Sequence, residues 1–478
     1  MRLEFKYIVA LISVFGMFMN LLDLTIVNVA VPVLASELDA SAREVQWVVT
    51  AYLLAVAVAI PVSGWAGDRF GTKLIFVLAL AFFTGGSALC AFAWNIESLI
   101  VFRALQGLGG GFLMPVSQTM VFRAFPQQER SKAAGILVVP TTFAPASGPL
   151  VGGLILDYLS WPWIFLVNIP VGVIGIVLAI AFLREQREDN PGRIDIPGFM
   201  LASGGLAVFL YGLAEAGERG FGDAVVLGFG GAGLALLAIF VLVELRTEEP
   251  LIDVRLFLNR MFALANLTQS VAFMGFASTL FLLPLILQLE RGMSPLESGL
   301  ATFPQAIGVM VMAPVMARIY PIVGPRRLVA IGLAVASATT VPLILMDLGT
   351  NVWQIQGTMF MRGVGFSMML VPLQTAAFAG ISMADTGRAT AAFNATRQVA
   401  QSFGVAIIAT VLTSRLAHHG AMLGPLDDVA SSVSAFSDGF IVTGAFIAGG
   451  ILVALLIRDR EAASTLRARI PAKEPGKD

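Results

Sequence analysis

Leu74–Trp94, LIFVLALAFFTGGSALCAFAW, carries no charged residue along its whole length. It is as long as the roughly 20 apolar residues that cross a bilayer as one helix. A helix from a soluble core is shorter and turns a charged face to water. Trp163–Leu183 and Val225–Val243 have the same character. Across the 478 residues, 57% are hydrophobic and 13% charged, about half the charge of a soluble domain. Lipid offers no partner to a backbone amide or carbonyl, so open runs of this kind must be helices. The fold class expected is therefore an all-α integral membrane protein.

Working outward from these three runs, charges, Gly/Pro clusters and polar turns divide the chain into fourteen spans. They fall near 8–35, 45–66, 74–94, 97–122, 133–156, 162–183, 197–215, 224–244, 261–288, 297–320, 327–346, 352–379, 390–414 and 437–457. The first run is long, contains Asp23 and lacks a small-residue cleavage site, so it reads as a span and not as a signal peptide. Basic residues test the count. With the N-terminus inside, Arg69, Lys73, Arg123, Arg130, Lys132, Arg184, Arg187, Arg326, Arg327 and Arg388 all fall in inside loops. Only Arg43, Arg219, Arg291 and Arg415 fall in loops on the other side. This bias sets the orientation and puts both termini in the cytoplasm. Charged linkers at Arg184–Arg193 and Arg246–Arg260 set off one Gly- and Leu-rich hairpin. The expected organisation is a six-helix half (1–190), a two-helix insert (191–255), a second six-helix half (256–460) and a cytoplasmic tail (461–478).

Several function classes drop out. One cysteine, Cys90, cannot form a disulfide within the chain, and the only histidines, His418 and His419, are adjacent. A metal site and a Ser-His-Asp set are thereby disfavoured. No phosphate-binding Walker loop is present, which argues against ATP-driven transport. A net charge of −1 gives no sign of a nucleic-acid partner.

The halves repeat weakly. Phe102-Arg103-Ala104-Leu105-Gln106-Gly107 in span four matches Met361-Arg362-Gly363-Val364-Gly365 in span twelve, and each run continues to a Pro-x-x-Gln or Pro-x-Gln segment. Repeats related by an axis along the membrane normal occur in transporters that rock two halves about a central site. Asp23, deep in the first span, is the most informative single residue, because intramembrane carboxylates are costly and seldom lack a role. Burial disfavours its ionised form and a nearby arginine favours it. It is either a point where proton and cargo binding meet or a hydrated residue near the end of its span.

Four motifs carry a resemblance to a known family. Gly64-Trp65-Ala66-Gly67-Asp68-Arg69-Phe70-Gly71-Thr72-Lys73 is similar to the loop signature of the major facilitator superfamily. Ala144-Pro145-Ala146-Ser147-Gly148-Pro149-Leu150-Val151-Gly152-Gly153 resembles the fifth-span signature of its antiporters. Leu22–Pro32 (LDLTIVNVAVP) and Trp161–Pro170 (WPWIFLVNIP) resemble stretches of the fourteen-span drug/proton antiporter branch. The resemblance runs from about residue 8 to 457. It implies a major facilitator fold and a proton-coupled antiporter exporting amphipathic or lipophilic small molecules, of the multidrug efflux type. A lipid or specialised metabolite as cargo, or an uncoupled facilitator of the same fold, are the alternatives.

The resemblance assigns roles residue by residue. Gly64, Gly67, Asp68, Arg69, Gly71 and Lys73 would form a conformational latch, with Asp68 meeting a helix N-terminus or a base such as Arg123. Arg103 is tied to proton transfer. An arginine does not itself release a proton, so it would tune Asp23. Gly148, Pro149, Gly152 and Gly153 would bend and thin the fifth span at the seam between halves. The apolar cargo pocket would draw on Met19, Asn28, Gln106, Met114, Phe281, Gln305, Gln374, Asn394, Arg397 and Gln398. Glu290 is read as exposed or as a second acidic site. No cofactor or metal is expected, the energy source being a proton gradient. The expected partners are small amphipathic or cationic drugs or lipids as cargo, protons and membrane lipids. The expected setting is a monomer in the inner membrane of a bacterium.

Overall fold

A computed structural model describes residues 4–188, 192–418 and 429–466. His419 and most of the tail lie outside them. Among the described residues all regular structure is helical. Spans one to five are α1 (Phe5–Glu37), α2 (Ala42–Phe70), α3 (Thr72–Ala91), α4 (Ile96–Ala124) and α5 (Arg130–Tyr158). Span six is broken into α6 (Trp163–Leu166) and α7 (Asn168–Phe182). The two-helix insert is α8 (Ile196–Arg219) and α9 (Ala224–Glu244). Span nine, α10 (Arg260–Leu285), ends in a π-turn at Ile286–Glu290. Spans ten and eleven are each broken, into α11 (Pro295–Thr302) and α12 (Pro304–Val323), and α13 (Pro325–Ala338) and α14 (Val341–Ile344). The last three are α15 (Val352–Ala377), α16 (Thr386–His418) and α17 (Val429–Ala454).

Among the described residues thirteen helical runs are long and apolar enough to cross a membrane. The fourteenth, α15, is 26 residues long, and its hydropathy is diluted by Gln354, Gln356, Arg362 and Gln374. Of these, Arg362 and Gln374 are buried against protein. Side chains define where the helices start. Capping boxes satisfy the first free amides at Ser41/Glu44, Asn95/Ser98, Ser294/Glu297 and Asn351/Gln354.

The turn between α2 and α3 shows how the glycine signature is used. Gly71 sits at φ 102°, a backbone region that side chains avoid. The carboxylate of Glu185, arriving after span six, accepts from the amides of Lys73 and Leu74 at 3.0 and 3.2 Å. The second half repeats the device: Gly324 sits at φ 89°, and Asp459, arriving after the last span, accepts from the Arg326 amide at 3.0 Å. The device thus occurs once in each half, after the second span of each. Helix α8 packs on α9, α2 and α16. Ser203 donates to the Val58 carbonyl at 2.7 Å, and Thr410 donates to the Ala216 carbonyl at 3.0 Å.

Both described chain ends lie at one end of the bundle. Lys6 near the start pairs with Glu129 at 2.7 Å, and Glu461 near the finish pairs with Arg260 at 2.9 Å. We call this the proximal end, and it also carries the α2–α3 turn.

Candidate functional site

Two cavities occupy the centre and share Thr25, Pro145, Phe276 and Leu280 in their walls. The smaller, of about 150 Å³, lies deep and takes its polar lining from Asn20, Thr25, Thr141, Asn394, Arg397, Gln398 and Gln401. The larger, of about 600 Å³, reaches the distal helix ends and is lined by Asn28, Thr279, Phe281, Gln288, Ser298 and Gln305 among others. Apolar side chains such as Met114 and Phe273 supply most of the deep wall.

The proximal end is closed. Phe122 and Phe378 stack at 4.6 Å between ring centres, with Phe393 edge-on to Phe378 at 5.5 Å. The hydroxyls of Thr119 and Thr390 meet at 2.7 Å, and Asn394 donates to Gln118 at 2.8 Å. Arg130 donates to the Phe378 carbonyl, and Ser131 donates to the Ala317 carbonyl at 2.9 Å. Apart from the Phe378–Phe393 pair, which lies within the last six spans, each contact joins the first six spans to the last six.

The glycine signature sits beside this seal. A Cβ at Gly64 would lie 2.6 Å from the Gly387 carbonyl oxygen, so α2 and α16 touch backbone to backbone. Asp68 lies against the first turn of α16, where the helix dipole favours an anion, and accepts from Arg123 at 2.8 Å. Arg123 also pairs with Glu188 at 2.9 Å and donates to the Met383 carbonyl at 3.3 Å. Two members of the signature stand apart from the seam. Arg69 is exposed at the end of α2, with no ion-pair partner among the described residues. Lys73 donates to the carbonyls of Ile180 and Leu183, both at 2.8 Å, and so caps α7 within its own half.

Gly148 and Gly152 lie where α5 presses on α1. A side chain at either would meet Thr25 or Ile26. One residue further on, and so on a different face of α5, Pro149 packs on Gly299, and Gly153 packs on Leu296, both from α11. Helix α5 therefore spans the seam between the two sets of helices.

Asp23 is wholly buried, but it does not line either cavity. It lies one helix-width behind, among α1, α3, α4 and α7. Arg103 pairs with its Oδ2. Gln106 Nε2 and Asn168 Nδ2 both donate to its Oδ1 at 2.9 Å. Asn168 also donates to Ser87 at 3.1 Å. Arg103 donates from Nε to the Val48 carbonyl at 3.2 Å and stacks on the Tyr52 ring at 4.1 Å. The Tyr52 hydroxyl donates to Asn20 Oδ1, and Asn20 faces the deep cavity. A continuous chain thus links the cavity wall to the carboxylate: Asn20, Tyr52, Arg103, Asp23. Arg362, the counterpart of Arg103, pairs with no acid among the described residues. It bonds Thr279, Thr340 at 2.9 Å and the Ala336 carbonyl at 3.2 Å.

The structure redistributes the expected pocket. Asn28, Met114, Phe281, Gln305, Asn394, Arg397 and Gln398 line one cavity or the other. Gln106 does not: it is consumed by Asp23 and Arg103, at 2.9 and 2.7 Å. Met19 packs in the core of the first half, and Gln374, also buried, lines neither cavity. Glu290 is half-buried at the end of the π-turn, with one carboxylate oxygen unpartnered among the described residues. Asn168, Ser87, Tyr52 and Asn20 belong to the Asp23 network and were not singled out from the sequence. Only Asn168 lay within a quoted motif.

Two sets of spans closed at one end around a cavity that reaches the other define a membrane transporter. The chain belongs to the major facilitator superfamily, whose family model matches residues 13–405. It is 36% identical over 408 residues to the multidrug resistance protein B homolog of Mycobacterium tuberculosis H37Rv, covering 83% of this chain and 74% of that one. It is 32% identical over 469 residues to the putative multidrug resistance protein MdtD of Serratia proteamaculans, covering 97% and 95%. In fold it is similar to the proton:xylose symporter XylE, with a TM-score of 0.64 at 14% identity, covering 93% of this chain and 95% of that one.

Proposed function

We propose that the protein is a proton-coupled antiporter that exports amphipathic small molecules by alternating access. In this reading Asp23 takes up and gives back the proton. The observation that carries it is the chain Asn20–Tyr52–Arg103–Asp23, which joins a carboxylate hidden from the cavity to a side chain that cargo would touch. A carboxylate stripped of its partners in a low dielectric is costly, and taking up a proton relieves that cost. Cargo leaning on Asn20 shifts Tyr52, which shifts the guanidinium that pairs with Asp23. The names of the multidrug resistance relatives support drug-like cargo.

The basic residues of the proximal loops support a cytoplasmic proximal end, in the inner membrane of a bacterium. The closed seal then makes this the outward-facing state, with Asp68, Arg123 and the start of α16 holding it shut. Residues 1–190 and 256–460 are the two rocking bodies, with 191–255 between them, and the unit is a monomer without a cofactor. A gradient worth about 2.3 kcal/mol per charge at about 100 mV can drive uphill export if each cycle moves net charge.

The test is proton movement in proteoliposomes loaded with a pH-sensitive dye, challenged with a panel of amphipathic compounds. Cargo-evoked flux in the wild type, absent in Asp23→Asn, is the expected result. Flux that survives Asp23→Asn in folded protein sinks the assignment.

A further inference from the structure

We infer that the cavity selects anionic amphiphiles, with Arg397 receiving the anionic group. This deepens the export reading above and rests on it. Among the described residues, Arg397 is the only charged side chain on either cavity wall, and no aspartate or glutamate lines them. Its Nη2 donates to Asn394 at 2.9 Å, and its guanidinium lies 5.6 Å from the centre of the Phe273 ring. No carboxylate among the described residues lies within ion-pair distance of it. An arginine carries five N–H donors, so most of its capacity faces the cavity. Gln398 and Gln401, its neighbours on α16, line the same wall and can complete a shell around sulfonate or carboxylate oxygens.

The rest of the charge distribution points the same way. Asp23, the acid nearest the cavity on α1, is enclosed by Arg103, Gln106 and Asn168 and offers nothing to a cationic guest. Behind the distal cavity, Arg362 is a second buried cation, held among the described residues by Thr279, Thr340, a carbonyl and the Phe366 ring, with its Nε unpartnered. Thr279 stands between it and the cavity. In a low-dielectric enclosure two uncompensated cations attract an anion and repel a lipophilic cation of the same size.

The experiment uses the full chain in nanodiscs of neutral phosphatidylcholine, with pyrenesulfonate and pyrenemethylammonium as probes of one ring system and opposite charge. Binding is measured by equilibrium dialysis against empty discs, without a pH gradient. The expected result is pyrenesulfonate bound about tenfold or more tightly than the ammonium, the size of one charge-assisted contact. Arg397→Gln should erase the preference and Arg397→Lys should keep most of it. Gln401→Glu, which sets a carboxylate beside Arg397, should also erase it and guards against misfolding of the arginine variant. Equal binding, tighter ammonium binding, no binding of either probe, or a preference that persists in Arg397→Gln would overturn the inference. Anion binding without proton movement would sink antiport and leave this preference standing. Proton movement without the preference would sink this inference alone.

Discussion

Arg103 does more for Asp23 than neutralise it. It also ties α4 to the Val48 carbonyl and seats Tyr52, so three helices share one guanidinium. Removing one partner of a buried pair leaves an uncompensated charge, at a cost of about 3–5 kcal/mol. Arg103→Met should therefore lower thermal stability in detergent by that order, and Asp23→Asn added to it should recover a large part. A double variant no more stable than Arg103→Met would show that the pair is not what makes the arginine matter. Asp23 and Arg103 were legible in the sequence because a charge inside an apolar run stands out. Gln106 and Met19 were misread because a span apolar all round does not reveal which face meets the cavity and which meets a neighbouring helix. The partners of Asp23 were harder still. Asn168 lies 145 residues away and is an ordinary amide until folding delivers it.

At the scale of helices, function depends on which pairs touch without side chains between them. Gly148 lets α5 lie on Thr25 and Ile26 of α1. Gly148→Val should wedge the two apart and destabilise the protein by about 1–3 kcal/mol, read as a lower melting temperature in detergent. Across the seal, Thr119 and Thr390 offer a reversible lock. A disulfide between Thr119→Cys and Thr390→Cys should stop transport, and reductant should restore it. Cys90 is buried and gives little background. Transport that persists with the bond formed would mean that the proximal end does not open during the cycle. The spans themselves were readable from composition, but the breaks near Val167, Phe303 and Thr339 were not. Pro304 and Pro342, which lack an amide to donate, mark the second and third. Pro170, three residues past Val167, marks the first in the same way.

For the whole molecule, closure at one end with the other open makes a reciprocal claim. Asn28→Cys, in the distal cavity wall, should react readily with a membrane-impermeant maleimide from the distal side in the resting protein, while Thr390→Cys alone stays protected. Conditions that turn the transporter over should slow the first reaction and expose the second. If both reactivities move together, the cavity floods from both sides and alternating access is wrong.

The insert has a further consequence. By bonding to α2 at Val58 and to α16 at Thr410, α8 fills the groove between those two helices on the side that faces lipid. Two seams join the first six spans to the last six, one along α2 and α16 and one along α5 and α12. The insert covers the first of these, while on the second α5 packs directly against α12. A solute approaching from the leaflet on the α2 and α16 side therefore meets the insert before it meets either set of six spans.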